Sequence, residues 1–420
     1  MNGDTLPFLE ELEARRTERE TLHRNRSLRP IEAHQGGRSQ RHSSVINLSH
    51  NDYLGLGRDP RVVEAAVEAT RRWGTGSEGS RLITGSTRVH HQFEEAYATF
   101  KGAPACLLFP TGYQASLSVF SALCSPGDTV LCDRLVHSCL VDGIQLSGAR
   151  LRVFPHQNME RLAELLQRER ASTKGRLWIC VDGVYSMDGD IAPLPELLNL
   201  AATHEAMLVV DDAHGTGMIG ATGRGIFEHY GIRLADWQDR VVLISTLSKC
   251  LGTQGGAVCA HPLVVEELIN RAKPFIYTTG LAPACAAAGL AAVGILTQEP
   301  QHVQALQQRY TGALEQLRQA GIDCLTSQTG IIPLIVGEEA RALALARTLE
   351  EHGILVLPIR PPTVPNGTSR LRLSTNLLVS EADWSDALQE LIRVVPSTVG
   401  RSQSVRTFTN RRDQGAQGES

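Results

Sequence analysis

The chain has 420 residues, 42% of them hydrophobic and 20% charged, which is ordinary globular composition and too much sequence for one small core. Its 41 Lys and Arg against 45 Asp and Glu leave a formal net charge of -4, so a nucleic-acid partner has no long-range electrostatic support. The nine cysteines include no C-x-x-C pair and sit mostly in apolar runs, so they read as reduced core residues of a cytoplasmic protein, and neither a zinc site nor a disulfide framework is implied.

In chain order, Met1 to Arg29 is a charged helical pattern without the apolar stretch of a secretory signal, and residues 8–24 place Leu9, Leu12 and Leu22 on an expected amphipathic helix. From Val45 onward short apolar runs alternate with helical patterns, the signature of parallel strands joined by crossover helices and hence of an α/β fold. Strands are predicted at 105–109, 129–132, 177–181, 207–210 and 241–245. The longest apolar run, Leu281 to Leu296, carries Pro283 and Gly289 and reads as a buried helix rather than a membrane span. Beyond residue 297 the pattern changes to a charged helix at 302–319, short strands around IIPLIV and ILVLPI, and a closing helix at 381–395, which predicts a smaller α+β domain. The resulting division is an N-terminal helix and arm (1–45), a large domain (46–296), a small domain (297–396) and a polar, disordered tail (397–420).

Open parallel sheets bind ligands outside the carboxyl ends of their strands, so the segments that follow the predicted strands are where chemistry is expected. MLVVDDAHG delivers Asp211 at a strand end and His214 three residues later. D-x-x-H alone is as well explained by a capped turn and a structural histidine. VVLISTLSKCLG sets Lys249 just past a strand, flanked by Thr246 and Gly252, where partial desolvation makes an amine a nucleophile and base near neutral pH. A solvated surface lysine is the commoner state elsewhere. ACLLFPTGYQAS reads as strand, turn and helix start, with Gly112 permitting close backbone approach to a phosphate at the helix N-terminus. His137 likewise follows a strand end. In SRLRLS, Arg370 and Arg372 share one strand face; such alternation usually marks a wetted face, but a guanidinium fork also suits a carboxylate. The run HGTGMIG matches G-x-G-x-x-G, yet DDAH intervenes after the strand and more glycine follows, so a dinucleotide-binding reading is weak.

Together these segments resemble the α-oxoamine synthases, pyridoxal-phosphate enzymes of the fold-type I aminotransferase superfamily, from about Asn47 to Val395. The resemblance is carried by NLSHNDYLGL (47–56), GSRLITG (79–85), FPTGYQAS (109–116), DRLVHSCL (133–140), GVYSMDGD (183–190), VVDDAHGTGMIGATGRG (209–225), STLSKCLGTQGG (245–256) and IRPPTVPNGTSRLRLS (359–374). It implies a large domain with a mainly parallel seven-stranded sheet and a smaller C-terminal α+β domain. It further implies pyridoxal 5'-phosphate bound covalently to Lys249, Asp211 against the pyridine nitrogen, His214 at the ring oxygen and His137 stacked on the ring as a catalytic residue. Gly112, Tyr113, Ser186 and Thr246 would line the cofactor, while Arg372, Asn51, Thr363 and Arg24 would contact substrate. Departures from the family pattern are Glu78 where glycine is common, Ser116 where asparagine is common, and Cys250 after the lysine.

The chemistry implied is decarboxylative condensation of an amino acid, alanine favoured, with an acyl thioester of coenzyme A or an acyl-carrier protein, in a homodimer with shared active sites. The GSRL and RPPTVPNGTSRLRL segments favour a biotin-pathway, pimeloyl-transferring member. The alternatives are sister synthases using glycine or serine with another acyl-CoA, a catalytically silent binding module on the same fold, and, least supported, a nicotinamide dehydrogenase.

Overall fold

Runs rich in Val, Ile and Leu that are buried on both faces form the central sheet of the computed structural model, which describes residues 7–41 and 44–395. The expected disordered tail at 397–420 lies outside the described residues. Its strands are β1 (Ala105–Phe109), β2 (Thr129–Asp133), β3 (Arg150–Phe154), β4 (Leu177–Asp182), β5 (Ala206–Asp211), β6 (Val241–Thr246) and β7 (Gly256–Ala260), in the order β1-β7-β6-β5-β4-β2-β3. All pairings are parallel except those of β7, which runs antiparallel to both β1 and β6. Five of the seven strands are those predicted. The sequence reading did not pick out β3, an edge strand with only Phe154 fully buried, or β7, five small residues that carry little strand propensity.

Strand side chains alternate between two cores. Leu107, Phe109, Val130, Cys132, Trp178, Cys180, Val209 and Val242 pack on one face, and Leu108, Leu131, Ile179, Val181, Leu208, Val210 and Leu243 on the other. Helices cover both faces, among them Pro283–Gln298, apolar all round and buried along most of its length. No helix among the described residues is long and apolar enough to cross a membrane.

After residue 300 the chain forms the helix Gln301–Gln319 and a three-stranded antiparallel sheet of β8 (Ile331–Gly337), β9 (Leu357–Ile359) and β10 (Ser369–Ser374), with β10 in the centre. The closing helix is Glu381–Val394. Three short strands at Ala33–Gln35, Arg38–Gln40 and Ser44–Asn47 pair with one another, and the last pairs in parallel with Ile354–Leu355, so the N-terminal arm is stitched to the C-terminal third. The leading helix, Pro7–Thr21, buries no residue in this chain, and the apolar side chains expected to seat it, Leu9, Leu12 and Leu22, are exposed.

All nine cysteines are free thiols, eight of them buried. The glycine run after β5 serves packing. Asp212, wholly buried, takes hydrogen bonds from Lys101 Nζ at 2.6 Å and the Ile226 amide at 3.1 Å, while Lys101 also donates to Thr216 Oγ1 at 2.9 Å and the Arg224 carbonyl at 2.7 Å. A side chain at Gly215 or Gly225 would collide with the Asp212 carboxylate, and one at Gly217 with Cys250 Sγ. These glycines fold the loop around an ion pair instead of cradling a dinucleotide.

Removing one partner from a fully desolvated pair strands the other charge. Lys101→Ala is expected to lose ~3–5 kcal/mol of stability, seen as a lower urea midpoint, whereas Arg161→Ala, in an exposed pair with Glu164, changes it by at most ~0.5 kcal/mol. Equal midpoints for the two variants would refute the assignment of the Lys101–Asp212 pair as a structural anchor.

Candidate active site

The carboxyl ends of β4, β5 and β6 present Asp182, Asp211 and Thr246, and the loops beyond them add Ser186, His214 and Lys249. Two helix starts complete the ring. After β1, Thr111 caps the helix Gly112–Leu123 by accepting from the Gln114 amide at 3.1 Å, which leaves the first-turn amides at Gly112 and Tyr113 without intrahelical acceptors. After β2, His137 caps Ser138–Ser147. These groups surround a cavity of about 280 Å³. Gly112 packs closely there, since an added Cβ would lie 3.2 Å from Thr246 Cβ and Oγ1.

Electrostatics divides the groups by role. Asp211 and Asp182 are register partners on adjacent strands; burial, then the charge of Asp211, pushes the Asp182 carboxyl well above its usual range and toward the protonated acid. Lys249 is half-buried, and desolvation, opposed by Asp211 and reinforced by Arg372, lowers its amine to about 8. His214 is buried, and desolvation followed by Lys249 and Arg372 pulls its pKa well down, so it is neutral. Its Nδ1 lies 2.6 Å from the Tyr53 hydroxyl, which also donates to Asn51 Oδ1 at 3.4 Å, and burial raises that phenol to about 12. Burial also lowers the pKa of His137.

Arg370 and Arg372 are both buried, not wetted. Arg370 is spent on an ion pair with Asp188. Arg372 has only neutral hydrogen-bond partners, namely the Ser186 carbonyl at 2.6 Å, Ser374 Oγ at 2.8 Å and Asn51 Oδ1 at 3.3 Å, and no carboxylate among the described residues. A buried guanidinium with no counter-charge is a site for an incoming carboxylate.

Of the residues singled out in the sequence, Gly112, Tyr113, His137, Ser186, Asp211, His214, Thr246 and Lys249 all line this one cavity. Tyr113 is partly exposed and donates to Asp142 on the His137 helix. The Thr246 hydroxyl is engaged in its own turn, 2.8 Å from Ser248 Oγ and 2.9 Å from the Gly255 carbonyl. Asn51 and Arg372 meet each other beside it. Arg24 and Thr363 do not join this lining. Arg24 is held by Glu339 at 2.8 Å and by Asn366, while Thr363 Oγ1 accepts from Arg26 at 3.0 Å. Arg26 instead borders a second basin of about 710 Å³, shared with Arg29, Arg347, Arg360 and the apolar Ile31, Leu343 and Val356. Sequence reasoning passed over Asp182, Tyr53, Cys139 and Arg26. Only Asp182 carried a signal, since LWICV delivers it just as MLVV delivers Asp211. Glu78 does occupy a left-handed backbone conformation, φ 61°, which accounts for glycine being the common residue there. Among the described residues no cluster of His, Cys, Asp and Glu is assembled to hold a metal ion.

Residues 43–391 match the family of class I and II aminotransferases. The 8-amino-7-oxononanoate synthase of Cellvibrio japonicus is 44% identical over 361 residues, covering 85% of this chain and 88% of that one. A serine palmitoyltransferase variant from S. paucimobilis, solved with PLP and myriocin bound, superposes with a TM-score of 0.85 at 28% identity over 93% of this chain and 98% of that chain. The 8-amino-7-oxononanoate synthase structure from Francisella tularensis gives a TM-score of 0.71 at 28% identity over 83% and 97%.

His156 ties the end of β2 to the loop after β4, its ring lying 3.0 Å from Asp133 Oδ1 and 2.7 Å from Asp190 Oδ2. Burial lowers its pKa, but the bonds to Asp133 and Asp190 outweigh that and raise it from 6.5 to about 10. A folded-state pKa raised in this way gives stability that is complete below the unfolded value and lost as pH climbs through about 10. His156→Gln should therefore flatten the fall of melting temperature between neutral pH and pH ~10. An unchanged slope in the variant would show that the imidazolium does not anchor this junction.

Proposed function

The chain belongs to the class I and II aminotransferase family, and from that premise we propose that it condenses L-alanine with a pimeloyl thioester to form 8-amino-7-oxononanoate, releasing CO2 and the free thiol carrier. It is a pyridoxal-phosphate-dependent acyltransferase of the α-oxoamine synthase group. The observation that carries this reading is the convergence of Lys249, Asp211, His214 and His137 in one cavity beside the unneutralised Arg372.

The residues present suit the cofactor. Lys249 would hold it covalently, the free amides at Gly112 and Tyr113 would receive its phosphate, Asp211 would face the ring nitrogen, His214 would donate to the ring oxygen and His137 would lie against the ring face. When bound, pyridoxal phosphate supplies an electron sink for carbanion chemistry at the α-carbon of an amino acid. Asp211 would keep the ring-nitrogen proton in place. With its amine lowered to about 8, Lys249 is partly neutral near physiological pH and takes the α-proton. Arg372 binds the substrate carboxylate and orients the bond to be broken, a contribution of positioning.

The acyl end is assigned to the second basin. Arg24 is already neutralised by Glu339, so Arg26, which touches Thr363, is the better guanidinium for the distal carboxylate of a pimeloyl chain, with Arg360 beside it. The functional unit we propose is a homodimer in the cytoplasm. The leading helix with exposed Phe8, Leu9 and Leu12, together with exposed Ile83 and Tyr277, favours a partner surface, and the free thiols favour a reducing compartment.

Lys249→Ala is expected to lose the borohydride-reducible link between protein and pyridoxal phosphate while remaining folded. Recovery of a pyridoxyl-lysine peptide from this variant would place the link elsewhere. For the substrates, kcat/KM should be higher for alanine with pimeloyl thioester than for glycine with acetyl-CoA. The alanine methyl alone contributes only ~1–3 kcal/mol of discrimination, so some turnover of glycine is expected. Preference for the second pair would move the chain to a sister synthase.

A further inference from the structure

Two buried guanidiniums stand two residues apart on one face of β10, and only one of them is neutralised. Arg370 donates from Nε to the Thr368 carbonyl at 3.1 Å, and from Nη1 to the Met187 carbonyl at 3.2 Å and to Asp188 Oδ1. Arg372 donates from Nε to the Ser186 carbonyl at 2.6 Å and from Nη1 to Ser374 and Asn51, and no described residue accepts from its Nη2. The two arginines thus grip one short loop, residues 186–188. That loop is pinned at its far end as well. The Gly189 amide donates back to the Tyr185 carbonyl at 2.9 Å, and the Gly189 carbonyl accepts from the Gln328 amide at 3.0 Å and from Thr329 Oγ1 at 2.9 Å. A side chain at Gly189, φ 74°, would collide with the Ile331 carbonyl.

We propose that Asp188 is a positioning residue for the substrate carboxylate: by neutralising Arg370 and fixing loop 186–188 against β10, it leaves Arg372 as the one guanidinium of the two open to an anion, and holds its fork in place through the Ser186 carbonyl. Asp188 does not line the cavity, so it acts through Arg370 and Ser186. Without its charge, Arg370 would become a second buried cation on the same strand face, uncompensated and competing for the same carboxylate. The loop would also lose the ion pair that keeps Ser186 in register with Arg372. This role rests on the function proposed above, in which Arg372 receives the carboxylate of the amino acid.

The test uses the holoenzyme and two probes, L-alanine and L-alaninamide, which carry the same amine and differ in the carboxylate. Binding is read from the change each causes in the visible absorbance of the bound cofactor. Wild type should bind alanine more tightly than alaninamide. Asp188→Asn should raise the Kd for alanine roughly 10- to 100-fold, the scale of one charge-assisted hydrogen bond, and leave that for alaninamide nearly unchanged, a split that a merely structural fault does not produce. Arg370→Gln breaks the same pair from the other side and should show the same split, so it decides the matter if Asp188→Asn does not fold. Asp188→Glu, which restores the charge, should recover part of the preference for alanine. Equal weakening of both probes in Asp188→Asn overturns the proposal, as does an unchanged Kd for alanine, or a folded Asp188→Glu enzyme that discriminates no better than Asp188→Asn. Arg372→Gln separates this role from the functional reading. If that variant keeps the wild-type preference, the clamp itself is misassigned, whereas a preference lost in Arg372→Gln and kept in Asp188→Asn sinks the Asp188 role alone.

Discussion

The site depends on a charge pair that never touches the cavity. Lys101 and Asp212 are both sealed from water, and two such charges are tolerated only because each has its remaining valences filled by Thr216, the Arg224 carbonyl and the Ile226 amide. Asp212 lies one residue after Asp211 and two before His214. Fastening it from behind therefore fixes the direction in which its neighbours project. The glycines at 215 and 225 are the steric condition for that arrangement, since no larger residue clears the carboxylate they enclose.

Around that anchor the cavity is tuned by desolvation more than by added charge. Burial moves Asp182 toward the acid, Lys249 toward the free amine and both His137 and His214 toward neutral imidazole. The two histidines are held by different means, His214 by the Tyr53 phenol and His137 by the backbone amide of Cys139 in the helix it caps. Both line the cavity. A site with few net charges and several preset donors needs little reorganisation when charge develops within it.

What the sequence disclosed follows from the range of the interactions involved. Asp211 and Lys249 were legible because each closes an apolar strand, a local pattern that places side chains at one sheet edge. The seven-stranded sheet itself came from resemblance, as β3 and β7 lack the apolar weight that marks a strand. Tyr53 was not legible as a partner of His214, because 161 residues separate them and neither periodicity nor spacing encodes that meeting. Arg24 and Arg26 are indistinguishable in a run of charges for a related reason, and only Glu339, on a distant helix, distinguishes them by neutralising the first. SRLRLS looked like a wetted strand and proved buried, because its arginine face lies against the loop Ser186–Asp188 beyond β4.

The bond from Arg372 to Asn51 spans 321 positions, and the strand Ser44–Asn47 finds its parallel partner only at Ile354–Leu355. During synthesis, then, the sheet and its polar edge can assemble while the arm that leads the chain still waits for an acceptor. The contact between Arg372 and Asn51 is a long-range closure that needs the strand Ser369–Ser374 in place.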